Sequence, residues 1–217
     1  MAKASPSRIQ LVVFDLGRVL LRICVDWEHA SRRAGVTIPA ETIEEFLAQE
    51  SACQHDTGKI TFADFAATIS PSIGVEFDQI MAVSRAFLHG AYPGTAELLD
   101  ELRSCNITTA CLSNTNDYHW ALMNDPSGAE HIPLDRLTYR FASHLVRARK
   151  PGPEIYAHLE GETGVAPAGI LFFDDILENI QAARNRGWQA HHVDPKSPDP
   201  IAFVRSVLRD EHLIPRG

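Results

Sequence analysis

Cysteine is scarce, and its few copies form no pattern. Cys24, Cys53, Cys105 and Cys111 include no CxxC pair and no histidine partner at zinc spacing, which argues against a disulfide scaffold or a structural zinc site. Reduced thiols in a cytoplasmic protein are the expectation, with Cys111, inside an apolar run, acting as a small buried hydrophobe. Long apolar stretches are also missing. None approaches the roughly 18 residues of a membrane span, and Met1–Arg8 is polar, without a signal-peptide core. Positive charge is in short supply: 20 basic against 28 acidic residues give a net charge of −8. That balance disfavours a general nucleic-acid or anionic-membrane surface, so an anionic substrate has to meet positive charge locally. Internal repeats and low-complexity segments are absent as well.

What is present begins with Leu11-Val12-Val13-Phe14-Asp15. Four consecutive apolar residues read as a strand covered on both faces, as in a parallel sheet. An acid at its carboxyl end stands where ligands bind in open α/β sheets. Four more strands are expected at 107–112, 139–142, 170–173 and 189–193. They alternate with helices over 95–105, 153–161, 177–186 and 200–208, the first capped by Thr95 and the second ending at Gly161. Residues 22–90 differ: they carry helical stripes such as Ile43/Phe46/Leu47 and Phe62/Phe65/Ala66/Ile69, the latter capped by Thr61, and no clear strand signal. The expected architecture is a doubly wound parallel five-stranded α/β core, residues 1–21 and 91–217, with a four-helix cap domain inserted at 22–90.

Three strand ends carry polar groups: Asp15, Ser113 and the pair Asp174-Asp175. Converging acids suit a hard cation such as Mg2+, which prefers oxygen ligands. The Ser113 hydroxyl and nearby backbone amides can hold an anion, and Lys150 can supply the missing positive charge.

These stretches, taken in order, resemble the haloacid dehalogenase superfamily. Phe14-Asp15-Leu16-Gly17-Arg18-Val19-Leu20 is similar to its first motif and Leu112-Ser113-Asn114-Thr115-Asn116 to its second. Arg149-Lys150-Pro151 is similar to the third, and Phe172-Phe173-Asp174-Asp175 with Asn179 to the fourth. The resemblance extends to a subclass I helical cap at 22–90 and to the phosphatase-like branch whose first motif reads FDLGxV. It implies that Asp15 attacks phosphorus and forms an aspartyl-phosphate, and that Ser113 and the Asn114 amide bind phosphoryl oxygens. It implies that Lys150 neutralises phosphate and nucleophile, and that Asp15, the Gly17 carbonyl and Asp174 hold Mg2+. Asp175 and Asn179 then support the site, and a small phosphorylated metabolite, a sugar phosphate among the candidates, is the implied partner.

Gly17 is the departure. Phosphatases of this superfamily usually carry a second Asp there, which protonates the leaving oxygen; such acid–base help is worth about 10²–10⁴-fold. A good leaving group, or a substitute such as His55 from the loop Gln54–Lys59, answers the loss. Arg18 is a candidate contact for substrate phosphate. Two further readings stay open: a metal-independent haloacid dehalogenase, and a phosphometabolite-binding protein with little turnover.

Overall fold

The computed structural model describes residues 9–38, 42 and 54–216. Its centre is β1 (Leu11–Phe14), with every residue buried. The neighbouring strands are β4 (Thr108–Ser113), β5 (Tyr139–Ala142), β6 (Ile170–Asp174) and β7 (Gln189–His192). They form one sheet in the order β5-β4-β1-β6-β7, all parallel.

The unbroken apolar run of β1 has a simple cause. Val12 and Phe14 pack with Leu98, Leu99 and Leu102 of α4 (Thr95–Ser104) and Ile201, Val204 and Leu208 of α9 (Pro200–Asp210). Leu11 and Val13 pack on the opposite face with Ile155, Tyr156 and Leu159 of α7 (Pro153–Thr163) and Ile180 and Ala183 of α8 (Leu177–Asn185). Successive strand residues point to opposite faces, so a strand with helices on both sides needs apolar residues at every position. Each large side chain buried this way is worth roughly 1.5–3 kcal/mol.

Between β2 (Leu21–Ile23) and β3 (Leu88–Ala91) the chain carries α1 (Trp27–Ala34), α2 (Phe62–Ile73) and α3 (Phe77–Ala86). Thr61 caps α2 by accepting from the Asp64 amide. The expected helix around Ile43, Phe46 and Leu47 lies outside the described residues. β2 and β3 are a correction to the reading of 22–90 as strand-free. They form a separate two-stranded sheet, antiparallel across a register shift, and His89-Gly90 gives the second little strand character. Two helix ends also differ. Gly94, not Thr95, is the N-cap of α4, because the Thr95 hydroxyl is engaged with the Leu20 carbonyl at 3.2 Å. Gly161 lies within α7, which instead ends at Gly164 in the left-handed conformation. Beyond α4 the chain adds α5 (Asp117–Asn124) after β4 and a short helix, α6 (Ser143–Val146), after β5. Among the described residues, no helix is long and apolar enough to cross a membrane.

Candidate active site

The parallel register sets three strand ends level. Phe14 pairs with Cys111 on one side and with Phe173 on the other. Asp15, the next residue, therefore stands beside Asp174, and Ser113 ends the strand on the far side. This is where the strand order reverses about β1, the place where open α/β sheets bind ligands.

Lys150 connects the acids. Its Nζ donates to Asp15 Oδ1 at 2.8 Å and to Asp174 Oδ2 at 2.6 Å, and the side chain is buried with them. Burial alone would lower the ammonium, but the Asp15 and Asp174 carboxylates outweigh it and hold it above its ordinary value. The backbone under it is pinned by Asn114, whose Nδ2 donates to the Lys150 carbonyl and whose Oδ1 accepts from the Lys150 amide, both at 2.9 Å. This use of the Asn114 side chain is invisible in the sequence, where only its amide suggests a role.

Asp174 is fully buried and held by two further donors besides Lys150. The Ile176 amide donates to Oδ1 at 2.8 Å, and Asn179 Nδ2 lies 3.1 Å from each carboxylate oxygen. Asn179 is itself placed by the Tyr156 hydroxyl, which donates to its carbonyl at 3.1 Å. Asp175 faces Arg18 at 3.3 Å, and its carbonyl accepts from His192 Nε2 at 3.0 Å. Burial and the neighbouring Asp174 raise its carboxyl. It is not a helix cap: α8 has Ile176 at its N-cap position and no side-chain cap bond.

Asp15, Asp174 and Asp175 offer one oxygen each within 4.8 Å of one another. An oxygen-only donor set of three carboxylates, met by two cationic side chains, keeps a net negative charge. That is the chemistry a hard divalent cation fits. Burial pushes the Asp15 carboxyl up to about 7, with Lys150 opposing and Asp174 and Asp175 adding to the rise. Without further positive charge, the residue that should attack is therefore half protonated near neutrality.

Around this floor the structure brings together Asp15, Lys150, Asp174, Asp175, Asn179 and Arg18. Ser113 is buried at the end of β4, and the loop after it is fixed by Ser143. The Ser143 hydroxyl accepts from the Thr115 amide and donates to the Thr115 carbonyl, each at 2.9 Å. Ser143 was not singled out in the sequence; its position just after a strand, like that of Ser113, is the signal available. A Cβ built at Gly17 would lie 3.9 Å from Asp15 Oδ2 and 3.2 Å from Ile23 Cδ1. A side chain there would face Asp15, and glycine leaves that side without an acid.

His55 stands elsewhere. It packs on Phe65 and Phe62 with ring centroids 4.3 and 5.6 Å away, and burial lowers it to about 4. Its Nδ1 also lies 3.3 Å from Asp56 Oδ1, and a ring held neutral near pH 7 makes a poor general acid. Its loop is nonetheless docked on the core: a Cβ at Gly58, where φ is +65°, would sit 2.2 Å from the His144 carbonyl. Only glycine allows that approach.

Known proteins resemble this chain in sequence and fold. A HAD family enzyme from Bacteroides thetaiotaomicron, BT-2542, solved with magnesium and inorganic phosphate, is 26% identical with a TM-score of 0.75, over 90% of this chain and 99% of that one. A HAD-like family hydrolase from Porphyromonas gingivalis superposes with a TM-score of 0.78 at 26% identity, over 93% and 98% of the two chains. The sesquiterpene phosphatase astK of Aspergillus oryzae is 28% identical over 193 residues, 86% of this chain and 91% of its own. The haloacid dehalogenase-like hydrolase family matches residues 9–187, the span that runs from the strand before Asp15 through the helix that carries Asn179, and the chain belongs to that family.

Proposed function

We propose that the chain is a Mg2+-dependent phosphatase that hydrolyses a small phosphorylated metabolite through an aspartyl-phosphate on Asp15. The observation that carries this reading is the bridge from Lys150 Nζ to Asp15 and Asp174, with Asp175 inside the same oxygen cluster. An acidic trio around the nucleophile favours attack on phosphorus over attack on a carbon–halogen centre, which has no use for a divalent cation. Relatives named as phosphatases, and one solved with magnesium and phosphate, support the same choice.

Asp15, Asp174 and Asp175 would hold the cation through carboxylate oxygens, with the Gly17 carbonyl as a further donor. When bound, Mg2+ supplies positive charge that favours the ionised carboxyl of Asp15 and offsets charge on the phosphoryl group. Lys150 holds Asp15 Oδ1, which leaves Oδ2 as the attacking atom. That oxygen bonds to phosphorus as the ester P–O bond breaks, and the alcohol oxygen departs with the electron pair. Water then cleaves the acyl phosphate and regenerates Asp15. Ser113 and the Asn114 amide, at the end of β4, are the groups placed to bind the phosphoryl oxygens, while Asn179 and Asn114 keep Asp174 and Lys150 in position. The helical insertion, with its loop docked on the core, acts as the cap that selects substrate and excludes water. Because Gly17 gives the leaving oxygen no proton, substrates with acidic leaving groups should react best.

The test is phosphate release from sugar, nucleotide, acyl and sesquiterpenyl phosphates, with Mg2+ or EDTA, by wild type and Asp15→Asn. Mg2+-dependent release that falls by about 10⁴-fold or more in the variant is the expected result. Chloride release from a haloacid, indifferent to EDTA, would overturn the reading in favour of dehalogenation.

A further inference from the structure

Arg18 occupies a position that suits it poorly. Its φ is 56°, in the left-handed region where an L side chain is strained and glycine is at ease. The turn is set by its own amide, which donates to the Leu21 carbonyl at 2.8 Å. A residue kept in such a conformation is usually kept for what its side chain does. Here the guanidinium makes three contacts. Nη2 donates to the Val25 carbonyl at 2.9 Å and to the Cys24 carbonyl at 3.3 Å, and Nη1 meets Asp175 Oδ2 at 3.3 Å.

Those partners belong to different parts of the molecule. Cys24 and Val25 connect β2 to α1, where the chain leaves the sheet for the helical insertion. Asp175 follows β6 and is one of the three clustered acids. Arg18 itself is three residues beyond Asp15 in the same loop. The Asp175 carboxylate is nearly inaccessible, at 6%, whereas the Arg18 side chain is 26% exposed and reaches it from the rim. Repulsion from Asp174 would otherwise turn Asp175 outward toward water. A forked guanidinium, anchored at its far end on two backbone carbonyls, can resist that where a point charge cannot.

We infer that Arg18 is a positioning residue: it holds the Asp175 carboxylate in the cation site and ties it to the entry of the helical insertion, coupling cation binding to Cys24–Val25. The inference rests on the divalent-cation part of the function proposed above. Coupling of this kind is reciprocal, so whatever frees Cys24 and Val25 must weaken the cation by the same factor that the cation steadies them.

The experiment is Mg2+ binding by calorimetry on the intact chain, with hydrogen exchange of the 24–27 amides measured with and without Mg2+. Wild type, Arg18→Lys, Arg18→Gly and Asp174→Asn are compared. Arg18→Gly suits the left-handed backbone and should fold, which its thermal transition verifies. Arg18→Lys keeps the charge but loses the fork. Both Arg18 variants should bind Mg2+ about 10-fold more weakly than wild type, and Mg2+ should slow exchange at 24–27 in wild type only. Wild-type affinity in both variants, or an unchanged exchange response, would overturn the inference, whatever happens to their melting temperatures. Wild type that binds no Mg2+ would sink the cation reading and this inference together. Tight Mg2+ binding without phosphate release would sink the hydrolase reading alone and leave the role of Arg18 to the binding data.

Discussion

Two regions bury titratable side chains, and they treat charge in opposite ways. On the floor of the site, Lys150 lies within hydrogen-bonding distance of the carboxylates of both Asp15 and Asp174, and all three are buried. In the seam where α2 and α3 meet α5, His119 is buried among rings and His55 half-buried among them. His119 lies against Phe62, Phe87 and Trp27 at centroid distances of 6.2, 6.3 and 6.5 Å, and Trp27 stacks on Phe87 at 4.4 Å. Its Nε2 is 2.9 Å from both the hydroxyl and the carbonyl of Ser84. Burial lowers His119 and His55 to about 4, so both are neutral rings at physiological pH. The floor matches its acids with the opposite charge of Lys150, as the proposed attack by Asp15 would require. The seam removes charge, because packing is its only task. A buried titratable group is therefore a functional signal when its neighbours are charged and a packing signal when they are aromatic.

The largest effect should come from breaking the floor. Lys150→Met leaves Asp15 and Asp174 buried and facing each other with no counter-charge. Removing one partner of a buried ion pair costs about 3–5 kcal/mol, and phosphate release should be lost with it. Lowering the pH lets the raised Asp15 carboxyl take up a proton, so the stability gap to wild type should narrow from pH 7 to pH 5. Urea titrations at the two pH values measure this. A loss below about 1 kcal/mol at pH 7 would mean that the floor does not depend on charge compensation.

The seam predicts a pH dependence of its own. Folded His119 has a proton affinity below that of the unfolded chain, so between about 6.5 and 4 the unfolded state binds a proton that the fold refuses. Stability is full above 6.5, falls as the pH drops through that window, and levels off below 4. From pH 7 to pH 4.5 this one ring should cost roughly 2 kcal/mol. His119→Phe with Ser84→Ala removes the titrating ring without stranding the Ser84 hydroxyl, while the Ser84 carbonyl still accepts from the Phe87 amide. The double variant should lose about 2 kcal/mol less than wild type over the same pH range. A parallel pair of pH–stability curves would show that His119 is not held neutral in the fold.

These residues also mark how far the sequence could be read. Strands β1 and β6, and the adjacency of Asp15 and Asp174, follow from apolar runs ending in acids, a local signal that survives folding unchanged. The antiparallel pair β2–β3 does not, because its strands are three and four residues long and each exists only through its partner, more than sixty positions away. The same limit applies to single side chains. Asp15 and Asp174 are legible because each acid closes an apolar strand, and Lys150 because it stands before Pro151 in a motif. The contact of Arg18 with Val25 and Asp175, and the reciprocal bonds of Asn114 with Lys150, depend on loop conformation that no spacing encodes. His55 shows the hazard in the other direction: a loop histidine looks available for chemistry until burial and Phe65 make it part of the packing.

The smallest effect sharpens the comparison at its polar edge. One tether across the seam is polar: the carboxylate of Asp117, at the start of α5, accepts from the Phe62 amide at 2.8 Å at the start of α2. That amide is one of the unsatisfied donors at a helix N-terminus, and a carboxylate there gains from the helix dipole. Asp117 is exposed, however, so water can replace it at little cost. Asp117→Ala should therefore cost about 1 kcal/mol or less. Its effect should appear as faster hydrogen exchange at Phe62, with the urea midpoint barely moved. If the loss instead approached that of Lys150→Met, the insertion would be held to the core by charge after all. The floor and the seam would then differ only in degree, because the aromatic stacking around His119 would be a consequence of that anchor and not the cause of docking.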